Sequence, residues 1–281
     1  MEDLLVTDLD GTLLRSDAQL SPRSIAVLGG ALRQGLPLTY ATARSHHSAG
    51  PILAALPLTL PAIVYNGAFA VDPRSGEPLQ AHVLDAGVTE AVLALGRRSG
   101  VRPFISGFSA GHEVLLHGSA QNRGQADFLQ GRRASGDPRL RDLETSRLPD
   151  QVIELHYTAT AAELAELALA VRRDLGGTVT AMLSRDVYVE GFCHLEISDA
   201  HANKGAMLRW LAAHLGVDLT RVTVFGDGQN DLPMFQVAGH RIAVANAHPD
   251  LLAAADEIVA ASDDNGVARR IEEYLRRQGG T

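Results

Sequence analysis

Apolar and polar positions divide this chain into three stretches with different rhythms. The first opens on Leu4-Leu5-Val6-Thr7, a short apolar run that stops at Asp8-Leu9-Asp10-Gly11-Thr12. A run of that length before a glycine-containing polar turn predicts a buried strand. Ser21-Pro22 then predicts a helix start: serine as N-cap, proline in the first turn, and Ile25, Leu28 and Leu32 at helical spacing, with Gly35 closing it. A second strand is predicted over 36–40, ending at Ala41-Thr42-Ala43-Arg44, followed by a helix through Ile52 and Leu56. A third, over 62–65, breaks at Asn66-Gly67. Strand alternating with helix implies a parallel sheet covered on both faces.

The rhythm changes near Leu84. A helix over 88–98 precedes short strands near 102–105 and 113–116, and then 119–149, rich in Arg, Gly, Gln and Asp, contains the least patterned part of the chain. Residues 152–157 alternate like a strand. Leu164, Leu167, Val171 and Leu175 line one face of a helix over 161–175, with Glu163 and Glu166 early and Arg172 and Arg173 late, as the helix dipole favours. Strands are predicted at 178–182, 187–189 and 194–197.

After Ser198 the first rhythm returns. A helix carries Met207, Leu208, Leu211 and Leu215, with Lys204 near its start and Gly216 at its end. An apolar strand over 221–225 breaks into Gly226-Asp227-Gly228-Gln229-Asn230-Asp231. A helix, strands at 242–244 and around Ile258, and an amphipathic helix over 267–277 complete the pattern. The simplest organisation is an α/β domain built from residues 1–83 and 190–281, with a separate α+β domain inserted at 84–189.

Composition narrows the function. An apolar content of 46% in 281 residues is ample for one large or two modest cores. The most apolar stretch, 53–65, is cut by Pro57 and Pro61, so no membrane span is expected. Met-Glu-Asp carries acid where a secretory signal carries base, so no targeting segment is expected either. The one cysteine, Cys193, excludes an internal disulfide and a Cys-rich zinc site, and fits a reducing cytoplasm. A net charge of −8 argues against a nucleic-acid surface, while leaving room for a local basic pocket. Of 25 basic residues one is a lysine, Lys204. Such a site asks for a compact point charge on a flexible stem, which a planar guanidinium does not replace.

The strand ends hold the chemistry. In an open parallel sheet the carboxyl ends of the strands share one edge, where ligands bind. Asp8 and Asp10, Thr42 and Arg44, and Asp227 and Asp231 can therefore converge, with Lys204 joining from a helix start. Several carboxylates share a pocket at neutral pH only if a cation neutralises them. Oxygen ligands of this kind suit Mg2+, which often completes its shell with substrate phosphate. Thr42 and Lys204 offer a hydroxyl and an ammonium to phosphate oxygens. A carboxylate can attack phosphorus and form an aspartyl-phosphate. Asp8 and Asp10, two apart in extended chain, point the same way, so one can attack while the other handles the proton.

Asp8-Leu9-Asp10-Gly11-Thr12-Leu13-Leu14 resembles the opening motif of the haloacid dehalogenase-like hydrolases. Thr42, Lys204 and the Gly226-Asp227-x-x-Asn230-Asp231 loop are similar to the second, third and fourth motifs of that superfamily, in order. Asn66-Gly67, Ala245-Asn246-Ala247 and Asp264-Asn265-Gly266-Val267-Ala268 resemble the Cof-type subfamily of sugar- and cofactor-phosphate phosphatases. The similarity covers roughly residues 1–83 and 190–281, and far more loosely the middle block, which resembles that subfamily's cap domain. It implies a Rossmann-like, doubly wound parallel-sheet core with an inserted α+β cap. It further implies Asp8 as nucleophile and metal ligand, and Asp10 as general acid/base lending a carbonyl to the metal. Thr42 and Lys204 would hold phosphate, Asp227 would ligate Mg2+, Asp231 would support it through water, and Asn230 would touch phosphate or metal. One departure is Ala43, where the family commonly has glycine; its methyl would crowd the backbone donor beside Thr42.

Other features have plainer readings. Arg44 is either a solvated helix-start arginine or a substrate contact. Asn66-Gly67 is first a turn signal. His46, His47, His112, His117, His156, His194 and His201 show no recognised metal spacing. The expected partner is a small-molecule phosphate ester, with no nucleic acid or membrane, and oligomeric state is not encoded legibly. The expected activity is that of a Mg2+-dependent phosphatase of sugar or cofactor phosphates. A phosphosugar mutase or phosphotransferase on the same core is the first alternative, and a catalytically silent regulator the second. A receiver-type signalling domain also uses acidic pairs, a threonine and a lysine, but fails on length and on the insertion before Lys204. The inserted block is expected to close on the substrate as a lid and to set specificity.

Overall fold

β1 (Leu4–Thr7) is buried along its whole length and sits inside a five-stranded parallel sheet. The computed structural model describes residues 4–186 and 189–278. From β1 the chain runs through α1 (Pro22–Arg33) to β2 (Leu38–Tyr40), which pairs with β1 in parallel. Ser21 caps α1 as its sequence predicts, its hydroxyl accepting from the Ser24 N–H at 2.9 Å. α2 (His46–Leu53) leads to β3 (Ala62–Val64), which bridges to the end of β2 through Ala41 and Ile63. β4 (Phe69–Val71) and β5 (Pro78–Ala81) then fold back on β3 as a small antiparallel sheet. The alternation seen in sequence did not signal β4 and β5: β4 is buried throughout and has no polar face to mark it.

The inserted region forms its own unit. It holds α3 (Ala86–Arg98), β6 (Pro103–Ser109), β7 (His112–His117), α4 (Arg123–Ala134), β8 (Leu140–Asp142), β9 (Gln151–Thr160), α5 (Ala161–Leu175), β10 (Val179–Arg185) and β11 (Phe192–Asp199). Its six strands lie in the order β10-β11-β9-β6-β7-β8, antiparallel except for β7 with β8. α3 and α5 cover one face, where Val92, Leu95, Leu164, Leu167 and Val171 pack on Ile105, Leu155, Tyr157, Leu195 and Ile197. Burying each of the aliphatic side chains among these contributes about 1.5–3 kcal/mol. α4 occupies the other face through Phe128 and Leu129 against Phe104 and Leu115. It lies in the stretch that looks unpatterned, because its apolar stripe is short and its cap, Asn122 accepting from the Gln125 N–H, carries much of its definition.

The chain then returns to the first sheet with α6 (Lys204–Leu215), β12 (Val222–Gly226), α7 (Leu232–Phe235), β13 (His240–Val244), α8 (Pro249–Ala254), β14 (Glu257–Val259) and α9 (Gly266–Gln278). The strand order is β14-β13-β12-β1-β2. Winding thus proceeds outward from β1 in one direction and, after the insertion, from β12 in the other. The fold is mixed α/β, with a parallel core and a separate antiparallel region. The two units span Met1–Ala81 with Asn203–Thr281, and His82–Ala202. Residues 192–199, placed in the core by the sequence reading, pair along β9 and β10 in the inserted unit. The expected strand at 187–189 and the acidic Met-Glu-Asp start fall mainly or wholly outside the described residues. Among the described residues, no helix is long and apolar enough to cross a membrane.

Candidate active site

The switch in winding between β1 and β12 leaves their carboxyl ends side by side, with Thr7 paired to Phe225 and the Asp8 N–H donating to the Phe225 carbonyl at 2.9 Å. Asp8 therefore leaves β1 beside the residue that begins the next turn, Asp227. Gly11 makes this possible. Its φ is +75°, and a Cβ there would come within 2.3 Å of an Asp227 carboxylate oxygen. The Thr12 hydroxyl donates to Asp227 Oδ1 at 2.8 Å and fixes that carboxylate. Asp231 is fully buried, and its Oδ2 accepts from the backbone N–H groups of Asp227 and Gly228, both at 3.0 Å. It holds the loop from beneath.

Lys204 closes the arrangement. It is the first residue of α6, whose N-cap Asn203 accepts from the Ala206 N–H at 2.8 Å. That cap sets the angle at which the lysine enters. Its side chain is completely buried, and Nζ donates to Asp8 Oδ1 and Asp231 Oδ1, each at 2.6 Å. One oxygen from each of Asp8, Asp227 and Asp231 lies within 4.8 Å of the others, so the three could hold a metal ion. Electrostatics agree with that donor set. Burial drives the Asp8 carboxyl well above its usual range; Lys204 opposes this, while Asp231 and Asp227 add to it. Asp227 is also raised, first by burial, with the Thr12 hydrogen bond working against it. For Lys204 burial favours the neutral amine, but Asp8 and Asp231 together outweigh it and raise the ammonium above its ordinary value. One ammonium among three carboxylates leaves negative charge that a further cation would neutralise.

The remaining residues flank this centre. Arg44 grips Asp10 with two bonds, Nε to Oδ2 at 2.7 Å and a terminal nitrogen to Oδ1 at 2.6 Å. Thr42 is buried, and its hydroxyl accepts from the Arg44 N–H at 3.1 Å, leaving its own O–H to donate. Asn230 donates its side-chain amide to Asn66 Oδ1 at 3.3 Å.

A family model of haloacid dehalogenase-like hydrolases matches residues 5–271. The chain belongs to that family, in its Cof-type branch. Among curated relatives, the HMP-PP phosphatase of Serratia proteamaculans is 28% identical, the alignment covering 98% of this chain and 96% of the relative. The 5-amino-6-(5-phospho-D-ribitylamino)uracil phosphatase of Bacillus subtilis is 24% identical over 97% of each chain. Among solved structures, a haloacid dehalogenase-like hydrolase from Bacteroides thetaiotaomicron superposes with a TM-score of 0.79 at 25% identity, covering 98% of this chain and all of that one. This haloacid dehalogenase-like hydrolase is a phosphoric monoester hydrolase.

Within the hydrolase, sequence reasoning named the carboxylates and the lysine but gave Gly11 and Thr12 no task. The signal was present in the Asp-Gly-Thr string, where a glycine and a hydroxyl follow the acid pair. Asn246 was likewise quoted without a role. Its amide donates to the Gly11 carbonyl at 2.8 Å and accepts from the Ser262 N–H at 2.9 Å, tying two loops to the turn after β1. Ala43 is exposed and its φ lies outside the left-handed region, so the backbone at that position tolerates a methyl group.

Proposed function

We propose that this phosphatase hydrolyses small phosphorylated metabolites, sugar or cofactor phosphates, through an aspartyl-phosphate on Asp8 and with Mg2+. The observation that carries the reading is the Lys204 ammonium held at 2.6 Å from both Asp8 and Asp231, with Asp227 alongside. A buried nucleophile, a fixed point charge and a hard-ligand cluster suit a phosphoryl group. The name of the Bacillus subtilis relative describes a small phosphorylated compound and supports the substrate class.

In this mechanism an Asp8 oxygen attacks phosphorus, the bond from phosphorus to the leaving oxygen breaks, and Asp10 gives that oxygen a proton. Asp10 then takes a proton from water as the water oxygen attacks phosphorus, releasing phosphate and restoring the Asp8 carboxylate. Arg44 holds both Asp10 oxygens, so proton delivery needs one of those contacts to yield. Lys204 and the Thr42 hydroxyl hold the phosphoryl oxygens, with Arg44 and Asn230 at the edge of the phosphate site. Asp8, the Asp10 carbonyl, Asp227 and Asp231 would hold Mg2+, which supplies positive charge against the phosphoryl oxygens. Selectivity for the leaving group resides in the inserted unit. Cys193 is a buried free thiol, and a cytoplasmic location belongs to this reading.

A panel of phosphorylated metabolites assayed with Mg2+, with EDTA, and with the Asp227→Ala variant tests the proposal. Hydrolysis of one or more small phosphoesters, abolished alike by EDTA and by the substitution, is expected. Full activity in a metal-stripped enzyme would overturn the metal assignment, and efficient dephosphorylation of an intact phosphoprotein would overturn the substrate class.

A further inference from the structure

After β3 the backbone takes three successive residues with positive φ: Tyr65 at +48°, Asn66 at +54° and Gly67 at +98°. Glycine adopts this region readily and asparagine with modest strain, but tyrosine there is an outlier. Such strain persists where surrounding contacts over-determine it. Here the contacts are identifiable. The Tyr65 N–H donates to the Arg44 carbonyl and the Asn66 N–H to the Thr42 carbonyl, both at 2.9 Å. Gly67 lies so close to α6 that a Cβ would come within 2.2 Å of the Asn203 carbonyl carbon and 2.6 Å of the Lys204 nitrogen. The segment is thus wedged between the Thr42–Arg44 turn and the start of the helix that carries Lys204.

Asn66 stands at the centre of this wedge, half-buried. Its Oδ1 accepts from Asn230 at 3.3 Å. That bond orients the amide and leaves its Nδ2 donors aimed elsewhere; among the described residues none accepts from them. A neutral donor suits this place. A phosphoryl group arriving among carboxylates benefits from N–H donors that add no competing ion pair to Asp8 or Asp231.

We propose that Asn66 is a phosphate-binding residue, donating its side-chain N–H to a phosphoryl oxygen, and that Asn230 is its positioning partner. The strained Tyr65-Asn66-Gly67 turn exists to present that amide between Thr42 and Lys204. The inference rests on the phosphatase reading above, but phosphate binding can be measured apart from turnover.

The test uses three variants. Asn66→Gly deletes the amide while accepting the left-handed backbone, Asn66→Asp keeps the shape but sets negative charge against phosphate, and Asn66→Ala disturbs backbone and side chain together. Inorganic phosphate affinity with Mg2+, kcat/KM on a hydrolysed phosphoester, and Tm are measured for each. Asn66→Gly should lose roughly 10- to 100-fold in both phosphate affinity and kcat/KM with Tm nearly unchanged, and Asn66→Asp should lose more. If Asn66→Gly matches the parent in phosphate affinity while Asn66→Ala only lowers Tm, the turn is a backbone device and the proposal is wrong. If no phosphoester is turned over but phosphate still binds through Asn66, the substrate reading fails and this one stands.

Discussion

Both sheets of this hydrolase bring acids together, and they neutralise them by different means. At the end of the parallel sheet Asp8, Asp227 and Asp231 meet Lys204, which donates to two of them at 2.6 Å. On one face of the antiparallel sheet Glu154 of β9 lies diagonally across from Glu196 of β11, in the register that pairs Glu154 with Ser198 and Glu196 with His156. No described basic group forms an ion pair with either glutamate. Burial, with the charge of Glu196 added, pushes the Glu154 carboxyl up to about 8, so it stays protonated at neutral pH. Beside the pair, His156 and His194 share a hydrogen bond of 2.9 Å, and burial followed by the His194 charge lowers His156 to about 3. At the core site a buried ammonium meets two of the carboxylates. At the Glu154–Glu196 pair a retained proton takes the place of a cation, although the inserted unit pairs charge elsewhere, at Arg139 with Asp137. A site that does ionic chemistry needs the first arrangement, in which Lys204 supplies part of the balancing charge.

Removing the proposed nucleophile, Asp8, should break this contrast most severely. Asp8→Asn keeps shape but loses the charge that, in the proposed mechanism, attacks phosphorus, so kcat should fall on the order of a thousandfold or more. Circular dichroism should show the fold intact. Retention of a third of the parent activity on a verified substrate would contradict the assignment.

Exchanging the cation should come next. Lys204→Arg preserves charge, yet the guanidinium is wider and its donors lie in a fixed plane, so it cannot reach both carboxylates from a fully buried stem. Activity should stay roughly a hundredfold or more below the parent. Lys204→Ala would leave two buried carboxylates without their ammonium, destabilising the fold by roughly 3–5 kcal/mol in urea unfolding. An arginine variant that matches the parent would mean the single lysine was an accident of composition.

The smallest effect lies in the inserted unit and has the opposite sign. The folded-state value of Glu154, about 8, exceeds the ordinary 4.5. Between those values the unfolded chain has released a proton that the folded chain retains, so stability falls as pH rises through this window. Glu154→Gln removes that slope. At pH 8 the variant should be the more stable by roughly 1–2 kcal/mol, discounted for partial exposure, with the gap closing towards the ordinary glutamate value. Parallel urea midpoints for both proteins across that range would show instead that Glu154 ionises freely.

The same contrast explains how much was legible in the sequence. Asp8, Asp10, Thr42 and Asp227 stand where apolar strands end, so local chain rhythm alone brings them to one edge. Lys204 stood out by residue type, and α6 delivers it through its Asn203 cap. The Arg44 grip on Asp10 and the Asn66–Asn230 contact join residues 34 and 164 positions apart, through loops whose paths no periodicity encodes. Glu154 and Glu196 read as the polar half of alternating strands. Their juxtaposition depends on the pairing of β9 with β11, a long-range register set by which hydrophobic face packs on α3 and α5. α4 escaped notice because two adjacent apolar residues, Phe128 and Leu129, make most of its contact.

In the proposed mechanism the phosphoryl group passes through Asp8. Mixing enzyme, Mg2+ and a phosphoester labelled on its phosphoryl group, quenching with acid within a single turnover, and mapping the label by peptide tests it directly. Label is expected on the peptide that contains Asp8, released by hydroxylamine as an acyl phosphate is, and absent from Asp8→Asn. Full single-turnover hydrolysis with no label on the protein at any quench time would contradict it.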